Sequence, residues 1–492
     1  MNFNKLISLC HPVAVQGKAS EPIGNLVLDS TKVEPGDVFI AIKGYKSDGH
    51  RFISQVAEKG ASAVIVENFD LATDIPQIKV DNTRELLGKL AQEFEENPAL
   101  NLKIAGITGT NGKTTVATLI YQVLRHCNKR AALLGTVATI INDKKRTSRL
   151  TTPDAVELAR IFRDVAEDDC SFAIMEVSSH ALDQQRTSGF DFTIAGFTNL
   201  SHDHLDYHQT TDAYATAKKL LFDKLPKNST ALVNTDDPHG EFMVSNCQAK
   251  IRRFGFYNKQ GDKILQNSSN GLVIEVDGVQ VQSHLIGEFN AYNLALAYYA
   301  CRAFGCSKGE TVSALAKAPG APGRMEQILF ESLVPMPVIL VDYAHTPDAL
   351  KNVLKTLREV KKVYETVHVL FGAGGDRDVT KRAVMAKYAE ELADFITVTS
   401  DNPRSEEPQS IIDDVFEGFS QTQNVIREAD RKEAIMKTIA RADSKSIILI
   451  AGKGHETHQE VGGIYHHFDD KAIALKTLQD LEKRFEKAGR VH

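Results

Sequence analysis

Short apolar runs bounded by turn residues alternate with amphipathic stretches along almost the whole chain, and their spacing predicts most of its elements. Near the start, Leu26-Val27-Leu28, the turn Glu34-Pro35-Gly36-Asp37 and the run Val38 to Ile42 lead into a helical pattern from Phe52 to Lys59. Strand-like runs at Ala63 to Val66 and Gln77 to Val80 precede a helix from Arg84 to about Glu95, and Asn97-Pro98 closes this first region. Apolar runs at Ile104 to Ile107, Ala131 to Leu134, Phe172 to Glu176, Thr193 to Phe197 and Ala231 to Asn234 then alternate with helical sequence. Such alternation favours a mainly parallel sheet covered by helices on both faces.

Pro319-Gly320-Ala321-Pro322-Gly323, with Pro335 and Pro337 close behind, breaks helix and strand alike and marks a domain boundary or hinge. Beyond it the runs Val338 to Val341, Val367 to Phe371, Phe395 to Thr399 and Ile447 to Ile450 are each separated by helical sequence, and a last helix covers roughly Asp470 to Lys487. No internal repeat or low-complexity tract interrupts this order.

Candidate chemistry begins with Gly109-Thr110-Asn111-Gly112-Lys113-Thr114-Thr115, set between the run ending at Ile107 and a helical pattern from Val116. A strand entering a glycine-rich turn and then a helix N-terminus offers backbone N–H groups and a positive dipole end to an anion. Lys113 is spaced to reach outer phosphates, and the Thr114 hydroxyl to help hold their magnesium. The first loop glycine lies three places before Gly112 rather than five, so this is a short variant of the common phosphate loop. An ordinary strand-to-helix turn is the competing reading.

Composition narrows the setting. A chain of 492 residues, 42% of them hydrophobic, has room for about three domains. No apolar run approaches the ~18 residues of a membrane span, and the first residues do not form a secretion signal. The six cysteines lack a CxxC pair, as expected of reduced thiols in a cytosol, and a structural zinc is not expected. A net charge of -6 argues against a general binder of nucleic acid or membrane surfaces while leaving room for local basic pockets.

In the last region every apolar run is followed by an unusual polar loop: Asp342 to His345, Gly372 to Arg377, Asp401-Asn402-Pro403-Arg404, and Gly452 to Glu456. In a doubly wound sheet ligands bind outside the carboxyl ends of the strands, where these loops would converge. Arg377 and Arg404 would clamp carboxylates and Glu456 would meet an ammonium, a lining suited to a zwitterionic amino acid with a further charged end. Solvated loop tips are the alternative. Gly372-Ala373-Gly374-Gly375 lacks the third glycine of a dinucleotide fingerprint.

A second polar group lies in the middle region: Glu176 at the end of a run, His204 in the segment 199 to 208, and Lys218 on a helix expected to be capped by Thr211 or Asp212. Carboxylate and imidazole near a phosphate loop suit a divalent metal, with oxygen ligands favouring magnesium. A lysine ammonium is not a ligand, so by residue type Lys218 reads as a surface cation or substrate clamp, and His202, His204 and His208 form an alternative transition-metal set.

Taken with Met175-Glu176-Val177-Ser178-Ser179-His180, Asn199-Leu200-Ser201, Asp203-His204-Leu205-Asp206, Asn290-Ala291-Tyr292-Asn293, Asp342 to Pro347 and Gly452 to Glu456, the phosphate loop gives a set of motifs over nearly the whole length that closely resembles the Mur ligases, ATP-dependent amide-forming enzymes of peptidoglycan precursor synthesis. The resemblance implies an α/β protein of three domains. Residues 1 to 100 would form a small N-terminal domain for the UDP substrate, 101 to 332 a central ATPase domain with the phosphate loop in a parallel sheet, and 333 to 492 a C-terminal Rossmann-like domain for the amino acid.

Within that family the motifs resemble the member that extends UDP-MurNAc-dipeptide, and Asp401-Asn402-Pro403-Arg404 the form that adds meso-diaminopimelate. The resemblance implies that Lys218 is carbamylated to N6-carboxylysine. Thr114 and Glu176 would then hold one magnesium, and Glu176, His204 and modified Lys218 another. It assigns ATP to the loop 109 to 115 with Asn290, Asn293, Arg324 and Asp342, and the UDP-linked peptide to Leu28, Ser30, Thr151, Thr152, Ser178, Gln184 and Arg186. The segment Tyr45-Lys46-Ser47 falls at the uracil end, and Arg377, Asp401 to Arg404, Gly452 and Glu456 at diaminopimelate.

The implied protein is a cytoplasmic, monomeric ligase with ATP as co-substrate and Mg²⁺ as cofactor, without nucleic-acid or membrane partners. It would phosphorylate the D-glutamyl carboxylate and let a neutral amine attack the acyl phosphate, with the last domain closing onto the middle one. A lysine-adding sister enzyme, a folate-polyglutamating enzyme of the same fold, and a nucleotide-switched binding protein are the rival readings.

Overall fold

The computed structural model describes residues 1–19, 22–44, 47–257 and 261–489, and of the expected uracil-end segment Tyr45 and Lys46 lie outside them. The chain forms two compact units, one of residues 1–254 and 299–306, the other of 255–298 and 307–492.

The first unit holds two sheets. The smaller runs 14–16, 77–79, 63–66, 38–40, 26–27, parallel except for its first pair. The larger runs 250–254, 230–234, 194–197, 103–108, 172–176, 131–134, 139–141, 144–146. Its first six strands are parallel and the last two form an antiparallel extension. Lys103–Thr108 lies between Phe172–Glu176 and Ile194–Phe197, so chain order reverses about it and its carboxyl end opens a crevice for ligand. Its core-facing residues Ile104, Ala105 and Ile107 are fully buried, as two-sided covering by helices requires.

The second unit contains a six-stranded sheet in the order 326–327, 338–342, 446–451, 366–371, 395–398, 425–427, parallel apart from the two-residue edge strand. Here Ser446–Ala451 lies between Val338–Asp342 and Thr366–Phe371, which creates a second crevice.

Most parallel strands lie where apolar runs predict them, and the edge strands Lys250–Phe254 and Val425–Arg427, half polar and partly exposed, fall outside that prediction. Three antiparallel pieces do not follow from that pattern: the extension at 139–146, a meander at 263–283 and a hairpin at 458–467. Lys144–Arg146 and Ile464–His467 are wholly exposed, whereas Thr139–Ile141 and Gly271–Val276 are mostly buried. The signal they do carry is in their turns. Asp277-Gly278 and Gly462-Gly463 all have positive φ, as tight two-residue hairpins require.

Candidate active site

The turn after Lys103–Thr108 is held open by its glycines. Gly109 has φ +145°, and a Cβ there would lie 1.9 Å from Thr198 Oγ1; Gly112, at φ +86°, precedes the helix Lys113–His126 without a side-chain cap. The segment after Ile194–Phe197 fixes the loop from outside. Thr110 N donates to Asn199 O at 2.8 Å, Asn111 N to Asn199 Oδ1 at 3.1 Å, and Thr198 Oγ1 to Asn111 O at 2.6 Å. Lys113 Nζ folds back onto Gly109 O (2.9 Å) and Thr110 O (2.8 Å), inside the cradle a phosphate would fill.

Glu176 ends its strand beside this loop with only 1% of its surface exposed. It accepts from Thr114 Oγ1 at 2.8 Å, from Thr136 N at 2.7 Å and from Thr136 Oγ1 at 3.2 Å. Gly135 makes room for it, since a Cβ there would come within 2.3 Å of Glu176 Oε1.

Lys218 is not a surface cation. It is 1% exposed, donates to Gly109 O at 2.9 Å, and has its ammonium 4.3 Å from the centre of the Tyr214 ring. Burial, helped by the nearby Lys113 charge, drives its pKa well below that of an ordinary lysine. The helix Thr211–Asp223 that carries it is capped by Thr210, whose Oγ1 accepts from Ala213 N, rather than by Thr211 or Asp212.

The alternative histidine set does not assemble: among the described residues no three His, Cys, Asp or Glu side chains form a metal-holding group. His208 is buried against Ser179 Oγ (3.0 Å), while His204, half exposed, packs edge-on to His180 with ring centres 5.0 Å apart. Burial lowers the pKa of both His180 and His208.

Five of the residues expected at the UDP-linked peptide form one network beside Glu176. Thr152 Oγ1 donates to Glu176 O at 2.9 Å and accepts from Ser178 N at 3.1 Å; Thr151 Oγ1 pairs with Thr136 Oγ1 at 3.0 Å. Arg186 donates to Thr152 O at 2.9 Å and to Gln184 Oε1 at 2.7 Å. Ser30, in the turn Ser30–Lys32, and Leu28 are not part of this hydrogen-bonded network among the described residues. Leu28 packs on the core that includes Ala155 and Val156.

In the second unit Arg377, Asp401, Asn402, Arg404, Gly452 and Glu456 line one cavity of about 320 Å³ with Tyr343 and His345. Pro403 is buried behind it, where its carbonyl would sit 1.9 Å from a Cβ on Gly375. Lys453, fully buried, holds three of the lining residues: its ammonium meets Asn402 Oδ1 at 3.0 Å, Glu456 Oε2 at 3.1 Å and Asp401 Oδ1 at 3.8 Å. Burial raises the pKa of Asp401. The same influence on Glu456 is outweighed by the hydrogen bond from Asn402 and the Lys453 charge, and its pKa falls. Arg404, at φ +53°, pairs through Nε with Glu460 at 3.2 Å and donates through Nη1 to Gly375 O at 2.6 Å.

The other expected ATP residues also lie in this unit. Asn290 and Asn293 are buried and bonded to each other, Asn293 Nδ2 donating to Asn290 Oδ1 at 2.9 Å. Asp342 accepts from Met325 N and Ala344 N, and burial raises its pKa. Arg324 packs over Tyr343, 5.3 Å from the ring centre, with its buried Nε lacking a hydrogen-bond partner among the described residues.

Family descriptions match three successive stretches: the Mur ligase family catalytic domain over 22–95, the Mur ligase middle domain over 107–301 and the Mur ligase glutamate ligase domain over 323–454. The chain belongs to the Mur ligase family. A UDP-N-acetylmuramoyl-L-alanyl-D-glutamate–2,6-diaminopimelate ligase of Cytophaga hutchinsonii is 42% identical over 490 residues, covering 98% of this chain and all of that one. One of Bacillus cereus is 39% identical over 97% of this chain and 98% of its own. A solved structure of a ligase with that name aligns with a TM-score of 0.72 at 35% identity, over 94% of this chain and 96% of that one. As a Mur ligase, the chain is an ATP-dependent, ADP-forming enzyme.

Motif reading of this Mur ligase did not single out Thr136, Lys453 or Glu460. Thr136 touches Glu176 from 40 positions away, and Glu460 reaches Arg404 through the exposed hairpin; neither carries a local signal. Lys453 stands inside a motif, but its burial appears only in three dimensions.

Proposed function

We propose that this Mur ligase joins meso-2,6-diaminopimelate to UDP-N-acetylmuramoyl-L-alanyl-D-glutamate through an acyl phosphate, with ADP and phosphate released. The observation that carries the reading is the cavity that gathers Arg377, Arg404, Asn402 and Glu456. It offers guanidinium to carboxylate and carboxylate to ammonium in one space, as a diamino diacid requires. Relatives bearing that activity in their names support it at full length.

A carboxylate resists amide formation because attack would expel oxide, so the D-glutamyl carboxylate must first accept a phosphoryl group. The backbone N–H groups at the start of Lys113–His126 and the Lys113 ammonium would bind the phosphates of ATP and stabilise charge on the transferring group. The network of Thr152, Ser178, Gln184 and Arg186 would orient the UDP-linked peptide beside Glu176.

The donor set fits magnesium. The Thr114 hydroxyl and Glu176 carboxylate already meet, and burial makes the Lys218 amine easier to deprotonate, which favours reaction with CO₂ that would convert Lys218 to an oxygen donor. Thr114 and Glu176 would hold one ion and Glu176, His204 and N6-carboxylated Lys218 another, supplying charge neutralisation for the phosphates.

In the other unit Glu456 would take the ammonium of the incoming amino acid, and Arg404 its distal carboxylate, which lysine lacks. Incubation of the enzyme with the UDP-linked dipeptide, ATP and either diaminopimelate or lysine tests the assignment. Mass analysis is expected to find the diaminopimelate product, and a product formed only with lysine, or ATP binding without turnover, overturns it.

A further inference from the structure

A cavity of about 530 Å³ in the first unit has no phosphate-loop residue in its lining. Leu102, Thr193 and Ser229 line it, each immediately before a strand of the large sheet, so it opens at the amino ends of the strands. The phosphate loop follows the carboxyl end of Lys103–Thr108, at the opposite edge.

The walls are preformed. Helix Thr83–Phe94 and the loop 187–193 touch backbone to backbone, since a Cβ on Gly88 would lie 2.0 Å from Ser188 O, and one on Gly189 (φ +96°) 2.3 Å from the Gly88 carbonyl. Such contact fixes the helix and loop that form one side.

The lining is unfinished in a specific way. Gln92, on the same helix, is 2% exposed and its Oε1 has no hydrogen-bond partner among the described residues. A buried amide oxygen without a donor costs about 1–3 kcal/mol. Lys89 and Lys224 also line the space, are exposed, and have no ion-pair partner among the described residues. Phe190, Phe192 and Leu221 supply an apolar body.

We propose that this cavity is a second small-molecule site, for an amphipathic organic anion with an apolar or aromatic body, an acidic group for Lys89 and Lys224, and an N–H or O–H donor for Gln92. The volume is that of an ordinary ligand pocket. Asp191 in the lining disfavours a polyanion such as a nucleotide triphosphate, which separates this site from the phosphate loop. Because the loop 187–193 follows Arg186 directly, an occupant would stiffen the segment that carries the UDP-substrate network.

8-Anilinonaphthalene-1-sulfonate, an aromatic sulfonate with one N–H, is a suitable probe. Its fluorescence titration into the full chain, with saturating ADP to fill the phosphate loop, is expected to show one saturable site and slowed hydrogen exchange across 187–193. Lys89→Glu with Lys224→Glu should weaken binding about tenfold, the equivalent of two modest ion pairs. Gln92→Leu should weaken it about threefold, with ADP affinity unchanged in both variants. Absence of saturable binding, or binding unchanged in the charge-reversed variant, overturns the proposal. If Gln92→Leu does not fold, the charge-reversed variant, confined to exposed side chains, decides alone.

Discussion

Arg431 donates to Asp470 through Nε at 2.8 Å and Nη2 at 2.7 Å, and both side chains are fully buried. Two further guanidinium hydrogens reach Ser400 O at 3.1 Å and Ala451 O at 3.0 Å, the carbonyls just before Asp401 and Gly452. One ion pair therefore ties together two of the loops that line the second unit's cavity.

Arg431→Ala is expected to destabilise the second unit by about 3–5 kcal/mol, because it leaves Asp470 charged, buried and unpaired. The double variant Arg431→Met with Asp470→Leu should recover most of that stability in urea unfolding. It should still show a raised KM for the amino acid, since nothing then fixes the two carbonyls. Full recovery of KM in the double variant would remove the positioning role.

Arg404→Ala should weaken use of diaminopimelate far more than use of ATP. Loss of a charged hydrogen bond of about 1.5–3 kcal/mol corresponds to roughly 10- to 100-fold in kcat/KM. Steady-state kinetics with each substrate varied in turn measures the difference, and equal effects on both would sink the assignment.

Gly135→Ala puts a methyl group where Glu176 Oε1 now sits, 2.3 Å from the new Cβ. The carboxylate must move, and a shift of about 1 Å is expected to reduce kcat by about 10²-fold. The circular dichroism spectrum should be unchanged, and a kcat within a factor of two of the parent would show that the Glu176 seat is not needed.

Glu456 has a pKa below the ordinary glutamate value of 4.5. A carboxylate whose folded pKa is lowered stabilises the fold fully above its unfolded pKa, and that contribution is lost as pH falls through the folded value. Glu456→Gln should therefore be less stable than the parent by roughly 1 kcal/mol at pH 7, with the gap closing on acidification below 4.5. Denaturant unfolding at the two pH values measures it, and a gap that widens in acid would contradict the direction of the shift.

Much of the architecture is legible in residue order. Parallel strands buried on both faces must be continuous apolar runs, so Ile104 to Ile107, Phe172 to Glu176 and Ile447 to Ile450 announce themselves, and a strand followed by glycines and a lysine announces an anion cradle. The four polar loops of the second unit are legible for the same reason, because each follows such a run. Folding alone decides which distant side chains meet. Lys218 has the same sequence neighbours whether it faces water or the interior, and only the packing of Thr211–Asp223 beneath Gly109 makes it a buried amine. Likewise the carboxylate opposite Arg404 comes from a hairpin of exposed, weakly patterned strands, and the donors to Glu176 come from Thr114 and Thr136, 62 and 40 positions away. Local propensity follows from neighbours along the chain, whereas burial and charge pairing follow from neighbours in space, which the sheet order brings together.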